Sequence, residues 1–310
     1  MPTGGDIAKP SGAVVTSDTL IASRFAARFV DITGQTRALA HLAGMKRARQ
    51  RGRGVEFDEV RAYAAGDDVR SIDWRVTARS GTAHTKLFHE DREQPVIVAV
   101  DLRAPMKFGS RQCFKSVMAA HAAALILWSA LESGERTGGV VLGDHTLADT
   151  RPKRTQHAVL SVIRDLVAAG SADPSPDAAS QSLADQLQQL EHIARGGARL
   201  FLIGDFHDLD SDAALSSLRR LARRGQVVAL SVNDALEAQL PLSGHYAVTD
   251  GEHHSALDTG NHSLREAYAT QFQKHADQLA RRFRELRIPL LTLLTTDDPL
   301  KRLLTVFPPR

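Results

Sequence analysis

After residue 94, short continuous apolar runs alternate with longer stretches whose apolar residues recur at helical spacing. The run Pro95–Val100 is β-branched and uninterrupted, which is typical of a strand buried on both faces of a parallel sheet. Four further strands are predicted, at Gly139–Leu142, Arg199–Ile203, Val227–Val232 and Pro289–Leu293. Strands separated by helices predict an α/β fold with a mainly parallel sheet flanked by helices.

Helical spacing fills the intervals between these strands. The predicted helices are Arg111–Ser133, Thr155–Ala169, Leu183–Arg195, Ala213–Arg224 and Ser263–Leu286, with a loop at Ser171–Ala179 and a hairpin at Tyr246–Leu257. Two strands are followed directly by an acid, Asp101 in one case and Gly204-Asp205 in the other. Open α/β sheets bind ligands at the carboxyl ends of their strands, so both acids are candidate site residues.

The first third of the chain has a different pattern. Residues 1–17 are rich in Gly, Pro and Ser and predict a disordered tail. A helix with Ser17 or Asp18 as N-cap is predicted next, ending near Gly34, with an apolar stripe of Leu20, Ile21, Phe25, Phe29 and Ile32.

Between residues 55 and 93 the sequence is dense in charge. It predicts loops, a helical turn after Gly66, a turn at Ser80-Gly81 and a strand at Thr85–Phe88. The chain therefore divides into a tail (1–17), an N-terminal helix with a charged extension (18–94) and an α/β domain (95–310).

Composition limits the class of protein. The chain has 310 residues, 43% of them hydrophobic, which is enough for one large core with a small accessory unit. No stretch approaches the ~20 apolar residues of a membrane span and the N-terminus does not resemble a signal peptide, so a cytoplasmic protein is expected. The single cysteine, Cys113, excludes an intrachain disulfide and is expected to pack in the core.

The formal net charge of +3 comes entirely from the part before Pro95, where basic residues crowd into the segment Lys46–Arg53. Such a run can contact phosphates, so a nucleic-acid-binding protein is one alternative interpretation. No aromatic residue interleaves the run to stack on bases, so a solvated helix end is preferred.

A longer charged signature identifies a family. It consists of Gly54-Val55-Glu56-Phe57, Arg61-Ala62-Tyr63, Gly66-Asp67-Asp68-Val69-Arg70, Ile72-Asp73-Trp74, Ala78-Arg79 and Glu90. Together with the strand that ends at Asp101, this signature closely resembles the bacterial domain-of-unknown-function 58 family, over about residues 20 to 310. The resemblance implies a von Willebrand factor type A-like, Rossmann-type fold with its own N-terminal extension, and an association with AAA+ ATPases of the MoxR type.

Type A domains often hold Mg²⁺ through an Asp-x-Ser-x-Ser loop, a threonine and a second aspartate, because Mg²⁺ takes oxygen ligands. In this chain the resemblance places those positions at Asp101, Arg103, Pro105, a residue near Ser182, and Asp205. Arg103 and Pro105 lack the serine hydroxyls, and a guanidinium repels a divalent ion while pairing with acids. The site is therefore predicted to be degenerate, with no metal or other cofactor expected and with Arg103 paired to an acid. Mg²⁺ held by Asp101 and Asp205 is the alternative.

The charged signature has two interpretations. Its members are a fastening network between the extension and the α/β domain, which is preferred, or a surface that binds a partner; they are Glu56, Arg61, Tyr63, Asp67, Asp68, Arg70, Asp73, Trp74 and Arg79. Aspartates after Gly66 suit a helix N-terminus, and Trp74 is predicted to anchor the extension with its indole turned inward.

The function predicted from the sequence is a non-enzymatic adaptor that works with a MoxR-type ATPase in the assembly or activation of a client protein. No glycine-rich phosphate loop is present, so nucleotide hydrolysis is assigned to the partner. The rival interpretation is a metal-assisted hydrolase that uses Asp101, Asp205 and His207.

Overall fold

The apolar runs form a six-stranded sheet in the structure, a computed structural model that describes residues 9–33, 37–44, 60–63, 72–86, 94–171, 181–194, 196–241, 244–249 and 254–309. The strands are β1 Val60–Ala62, β2 His84–Lys86, β3 Val96–Asp101, β4 Thr137–Leu142, β5 Leu147–Lys153, β6 Arg199–Gly204, β7 Gln226–Asn233, β8 His245–Thr249, β9 His254–Asp258 and β10 Leu290–Leu294. Within the described residues, the first two and β8–β9 form separate two-stranded sheets.

The helices in the described residues are α1 Ser17–Ala22, α2 Arg24–Ala27, α3 Arg37–Leu42, α4 Trp74–Ser80, α5 Lys115–Glu132, α6 Gln156–Ser171, α7 Leu183–Ile193, α8 Asp212–Arg224, α9 Ala235–Ala238, α10 His262–Glu285 and α11 Pro299–Leu304. Across the described part of the chain, no helix has both the length and the apolar character that crossing a bilayer requires.

The order of strands in the large sheet is β10-β7-β6-β3-β4-β5, and every neighbouring pair is parallel except β4 with β5. Counted along the chain, these six strands have the order 3-2-1-4-5-6 of a Rossmann-type sheet. The predicted fold class, a von Willebrand factor type A-like sheet flanked by helices, is confirmed. Strands β3 and β6 are parallel neighbours at the point where the strand order reverses, so their carboxyl ends flank the crevice where such sheets bind ligands.

Both faces of the sheet are covered. On β3, Val96, Val98 and Val100 join a core formed with α5, α6 and α11. The alternate residues Ile97 and Ala99 join a second core with α7, α8 and the end of α10. Successive strand residues point to opposite faces, so an uninterrupted β-branched run is what a strand between two helical layers requires.

The main differences from the predicted elements occur at the edges. Strand β5 was not predicted; it is the antiparallel edge strand, half exposed, and it contains Pro152, which is tolerated at edges. Helix α5 begins four residues later than predicted, because Cys113 forms a strand-like bridge with Gly12 and Phe114 is still extended. The predicted hairpin is confirmed as the antiparallel pair β8–β9.

The N-terminal segment packs on the α/β domain. Trp128 Nε1 donates to the carbonyl of Leu20 at 3.0 Å, and Ser129 Oγ donates to the carbonyl of Val30 at 2.6 Å. Arg199, buried at the start of β6, donates to the carbonyl of Ile32. This segment therefore belongs to the unit formed by residues 1–47 and 94–310, whereas residues 48–93 form a second unit. The sequence grouped residues 18–94 together, whereas the compact units of the structure divide after residues 47 and 93.

The predicted apolar stripe of the N-terminal helix is wrong in part. Leu20 and Ile32 are buried, but Phe25 is 66% exposed, with Ile21 and Phe29 also exposed. Ser23 interrupts the helix by donating its hydroxyl to the Leu20 carbonyl, so α1 and α2 are separate short helices. Small residues, Ala26 and Ala27, then face the core in place of the aromatic ones.

The predicted disordered tail is also partly wrong. Gly12 donates its backbone N–H to the Gln112 carbonyl at 2.9 Å, and Val15 is buried. Residues 1–8 and Gly34 lie outside the described residues, as does the basic segment Lys46–Arg53.

In the second unit, Asp73 is the N-cap of α4, and its carboxylate accepts from the backbone N–H groups of Arg75 and Val76 at 2.9 and 3.2 Å. The helix ends at Gly81, whose φ of 74° is the left-handed conformation that glycine adopts without strain. The predicted turn at Ser80-Gly81 is thus confirmed.

The prediction that Trp74 turns its indole inward is wrong. Trp74 is the first residue of α4 and is 67% exposed, so its indole is not an inward anchor. Capping by Asp73 fixes the direction of the helix and leaves this first position on the exposed side. Tyr63 donates its backbone N–H to the Ala83 carbonyl, Arg61 pairs with Thr85 in the β1–β2 ladder, and Arg79 lies in the last turn of α4. Glu56, Asp67, Asp68, Arg70 and the turn predicted after Gly66 lie outside the described residues.

Candidate functional site

The carboxyl ends of β3 and β6 bring the two predicted acids to one edge of the sheet. Asp101 is the last residue of β3, and Asp205 directly follows Gly204, the last residue of β6. A Cβ atom at position 204 would lie 3.0 Å from the Cβ of Asp101, so glycine at this position permits the close approach of the two strands. The proximity that the sequence predicted is present.

Arg103 occupies the centre of this edge. Its Nε donates to Asp101 Oδ1 at 3.0 Å and its Nη2 to Asp101 Oδ2 at 2.6 Å. On the other side, Nη1 and Nη2 donate to the two carboxylate oxygens of Asp208 at 2.8 and 2.9 Å. Nη1 also donates to the Gln181 carbonyl at 3.3 Å, so each of the five guanidinium N–H groups has an acceptor.

Burial and ion pairing shift the pKa values of Asp101 and Arg103 in opposite directions. Burial raises the pKa of Asp101, and the hydrogen bonds and charge of Arg103 counter that rise. Burial would also lower the pKa of Arg103, but its bonds to Asp101 and Asp208 raise it well above the usual value. The guanidinium is therefore a fixed cation between two carboxylates.

Lys115 is a second internal cation. It is the first residue of α5 and is 1% exposed, and its Nζ lies 3.1 Å from Asp205 Oδ2 and 2.6 Å from Glu237 Oε1. Burial alone would lower the pKa of Lys115, yet the charges of these two acids raise it. Glu237 is held by the N-terminus of α9, because its Oε2 accepts from the backbone N–H of Asp234 at 2.8 Å.

His207 completes the edge. The turn after β6 places Phe206 at a φ of 58°, with its ring 5.2 Å from that of Phe283. His207 Nδ1 lies 2.9 Å from Asp205 Oδ1. Burial would raise the pKa of Asp205, but the hydrogen bond from His207 and the charge of Lys115 lower it well below its usual range. The same hydrogen bond raises the pKa of His207.

The donor set does not fit Mg²⁺. Pro105 offers no side-chain oxygen, and Arg103 fills the centre of the loop with a positive charge. Ser182 caps α7 instead, donating to Asp185 Oδ2 at 2.7 Å and accepting from the Asp185 N–H. Among the described residues, no cluster of three or more His, Cys, Asp or Glu side chains is arranged to hold a metal ion.

For the hydrolase interpretation, the described residues place no side-chain nucleophile beside His207. In the regions that the structure describes, the hydrogen bonds of His207 go to Asp205, and no hydroxyl or thiol group bonds to its ring. Asp101 and Asp205 are each held by an internal cation. An Asp–His pair alone can orient a proton carrier but supplies no attacking group.

Three residues of this edge were missed from the sequence: Asp208, Lys115 and Glu237. Asp208 and Lys115 meet partners 105 and 90 positions away, so no local spacing reveals the contacts. The one available signal was the acid-rich run that follows β6, in which Asp208 is the third residue after Asp205.

Comparison with known proteins agrees with the signature. The sequence profile of the family described as protein of unknown function DUF58 matches residues 59–278. The chain belongs to the DUF58 family. Within it, the chain is 31% identical to the uncharacterized protein Rv1480 of Mycobacterium tuberculosis over 252 residues, which cover 80% of this chain and 77% of that protein.

Solved structures give weaker likenesses to this DUF58 protein. An aerotolerance-related membrane protein from Bacteroides fragilis is 13% identical, with a TM-score of 0.42, over 69% of this chain and 96% of that chain. The VWA domain of SpRpn10 is 10% identical, with a TM-score of 0.36, over 69% of this chain and 95% of that chain. The fold assignment rests on the strand order and orientation of the sheet itself.

Proposed function

We propose that this DUF58 protein is a non-enzymatic adaptor of the cytoplasm. It binds a MoxR-type AAA+ ATPase and a client protein, and it contributes a docking surface and no catalytic group. The partner class comes from the family resemblance, and the non-enzymatic character comes from the site.

The observation that supports the proposal is that every hydrogen-bond donor of the Arg103 side chain already has an acceptor. Its five N–H groups are all used within the chain. The resemblance to type A domains implies that Arg103 stands at one of the positions whose serine would help to hold a metal. Because the donors of this guanidinium are already used, it has none free to stabilise a reacting anion. The edge offers loops fixed on a rigid sheet, which is how many folds present a binding surface.

Capture from cells tests the partnership. Tagged protein is immobilised, native lysate is passed over it, and the retained proteins are identified by mass spectrometry. The proposal expects an AAA+ ATPase, retained less as salt rises because charge pairs guide such contacts. Recovery of nucleic acid alone supports the alternative that assigns function to Lys46–Arg53.

A surface substitution locates the contact. Ala104 is exposed at the strand-end edge, so Ala104→Arg adds bulk there without removing a buried contact. ATPase binding should weaken roughly tenfold, a change of about 1.4 kcal/mol. The control is Arg223→Glu at the exposed end of α8, which leads into the opposite edge of the sheet. Equal losses in both variants would contradict docking at the strand-end edge.

Enzymatic activity is tested separately. Purified protein, supplied with Mg²⁺ or Mn²⁺, should not hydrolyse phosphoester or peptide substrates. Turnover that disappears in Asp101→Ala, with the fold retained by circular dichroism, would support the hydrolase instead.

A further inference from the structure

A pocket of about 360 Å³ lies beside the Arg103 cluster, between α10 and the loops that follow β6 and β7. Its lining includes Asp205, His207, Glu237, Tyr268, Gln271 and Phe272. The volume is in the range of pockets that accept a small ligand or a single large side chain. None of the five guanidinium N–H groups of Arg103 is left for a ligand, whereas this pocket is lined by polar and aromatic side chains.

The charges around the pocket do not cancel. Asp205 and Glu237 are carboxylates, and Lys115, with 2% of its side chain exposed, is the ammonium that lies between them. With His207 neutral, two negative charges against one positive charge leave an excess of one negative charge. A guest with a positive charge restores neutrality there.

Hydrogen-bonding capacity also favours such a guest. Lys115 Nζ and the backbone N–H of His207 can only donate, so the Asp205 carboxylate accepts and His207 Nδ1 donates to it. Above the raised pKa of His207 the ring is neutral, and in that tautomer its Nε2 is an acceptor. With the Glu237 carboxylate and the Tyr268 oxygen, the pocket is rich in acceptors, and a guanidinium offers five donors and no acceptor.

The aromatic residues supply a third element of recognition. Tyr268 and Phe272 lie one turn apart on α10 and both line the pocket. Faces of aromatic rings attract cations, and planar guanidinium groups stack on them.

Building on the proposed adaptor function, we propose that this pocket binds an arginine side chain of the partner protein. The guanidinium pairs with Glu237 and His207 and stacks against the aromatic residues of α10. The pocket thus determines which partner the docking surface accepts. The hydrogen bonds of Arg103 to Asp101 and Asp208 hold the neighbouring loops in place.

The test uses a minimal probe on the full chain. N-acetyl-arginine amide is titrated into isotope-labelled protein and followed by NMR, with N-acetyl-citrulline amide as the uncharged, nearly isosteric control. The arginine probe should bind with a dissociation constant on the order of 1 mM, as its small size allows. Saturable shifts should centre on Tyr268, Gln271 and Phe272. Citrulline should bind at least about fivefold more weakly.

Two opposite substitutions at one position sharpen the test. Gln271 is exposed on α10, and Glu, Gln and Lys have similar helix propensity, so its variants should fold normally. Gln271→Glu should tighten arginine binding roughly threefold, and Gln271→Lys should weaken it at least about fivefold, by adding or cancelling charge. The matched controls, Thr270→Glu and Thr270→Lys, change the same net charge at an exposed neighbour outside the lining and should move affinity much less.

Each result decides the inference. Equal binding of arginine and citrulline, shifts elsewhere on the surface, or the same response in both Gln271 variants overturns it. If the ATPase still binds in those cases, the adaptor function stands and only the pocket assignment fails. If the probe binds as expected but no ATPase is captured, the pocket assignment stands and the proposed partner fails.

Discussion

The guanidinium of Arg103 and the carboxylate of Asp208 face each other in a paired geometry, with Nη1 to Oδ2 at 2.8 Å and Nη2 to Oδ1 at 2.9 Å. Paired charged hydrogen bonds of this kind are directional and stronger than neutral ones. They tie the loop after β6 to the loop after β3, so the edge of the sheet is held by this chain's own side chains.

Removal of Arg103 should therefore destabilise the protein. Arg103→Ala leaves Asp101, which is 3% exposed, without its counter-charge. The expected loss is about 3 to 5 kcal/mol in the free energy of unfolding, measured by urea denaturation. The comparison is Arg164→Ala, which removes a pair to Asp165 whose arginine side chain is 75% exposed, and should cost less than about 1 kcal/mol. Similar losses of unfolding free energy in both variants would mean that the buried pairs of Arg103 stabilise the protein no more than an exposed ion pair does.

Glycine at position 204 should be required for the close approach of β3 and β6. A methyl group there meets the Cβ of Asp101 at 3.0 Å, so Gly204→Ala should cost about 1 to 3 kcal/mol through overpacking. Gly196→Ala is the control, because a Cβ there meets nothing within 4 Å, and it should change stability by less than about 1 kcal/mol. A neutral Gly204→Ala would show that the strands can separate without cost.

His121 should make the protein sensitive to acid. It is 5% exposed on α5, and burial lowers its pKa from 6.5 to about 4. The unfolded chain takes up the proton first, so the contribution to stability is complete above pH 6.5 and is lost as the pH falls towards 4. The full loss is about 3 kcal/mol. Urea denaturation from pH 7 to pH 4 should show a smaller decline in His121→Leu, whereas the exposed control His157→Gln should follow the unmodified protein.

The N-terminal segment should depend on the hydrogen bond from the Trp128 indole to the Leu20 carbonyl. Trp128→Phe keeps an aromatic ring in the core but removes one of the two side-chain hydrogen bonds that the Leu20 carbonyl accepts, the other coming from Ser23, at a cost of about 0.5 to 1.5 kcal/mol. Limited proteolysis should then cut between α1 and α2 sooner than in the unmodified protein. An unchanged cleavage rate would indicate that apolar packing alone holds the segment.

The centre of the fold could be predicted from sequence because its signal is local. The run that forms β3 is apolar at every position, and the alternation of such runs with helical spacing leads to a parallel sheet. The sequence pattern did not predict β5, because this strand is half exposed and has no continuous apolar run. It also did not predict the division between α1 and α2, because a single residue, Ser23, causes it.

The site could be predicted only as far as the strand ends place residues. Asp101 and Asp205 follow strands, and Arg103 is two residues from its partner, so their pairing was accessible from sequence. Lys115 was not, because it lies inside the helix predicted at Arg111–Ser133, where a lysine is ordinarily exposed. Only the folded topology brings Lys115 close to Asp205 and Glu237, where it is buried and forms ion pairs with both carboxylates.

The central claim is that Arg103 supplies the positive charge of this site, so that the edge is complete without a metal. Titration of Mg²⁺ into the unmodified protein by isothermal calorimetry tests it most directly, with the double variant Arg103→Ser, Pro105→Ser as the comparison that restores two hydroxyl groups. The account predicts no saturable heat up to about 10 mM Mg²⁺ for the unmodified protein, and binding in the double variant only. Binding by the unmodified protein with a dissociation constant below about 0.1 mM would contradict the account.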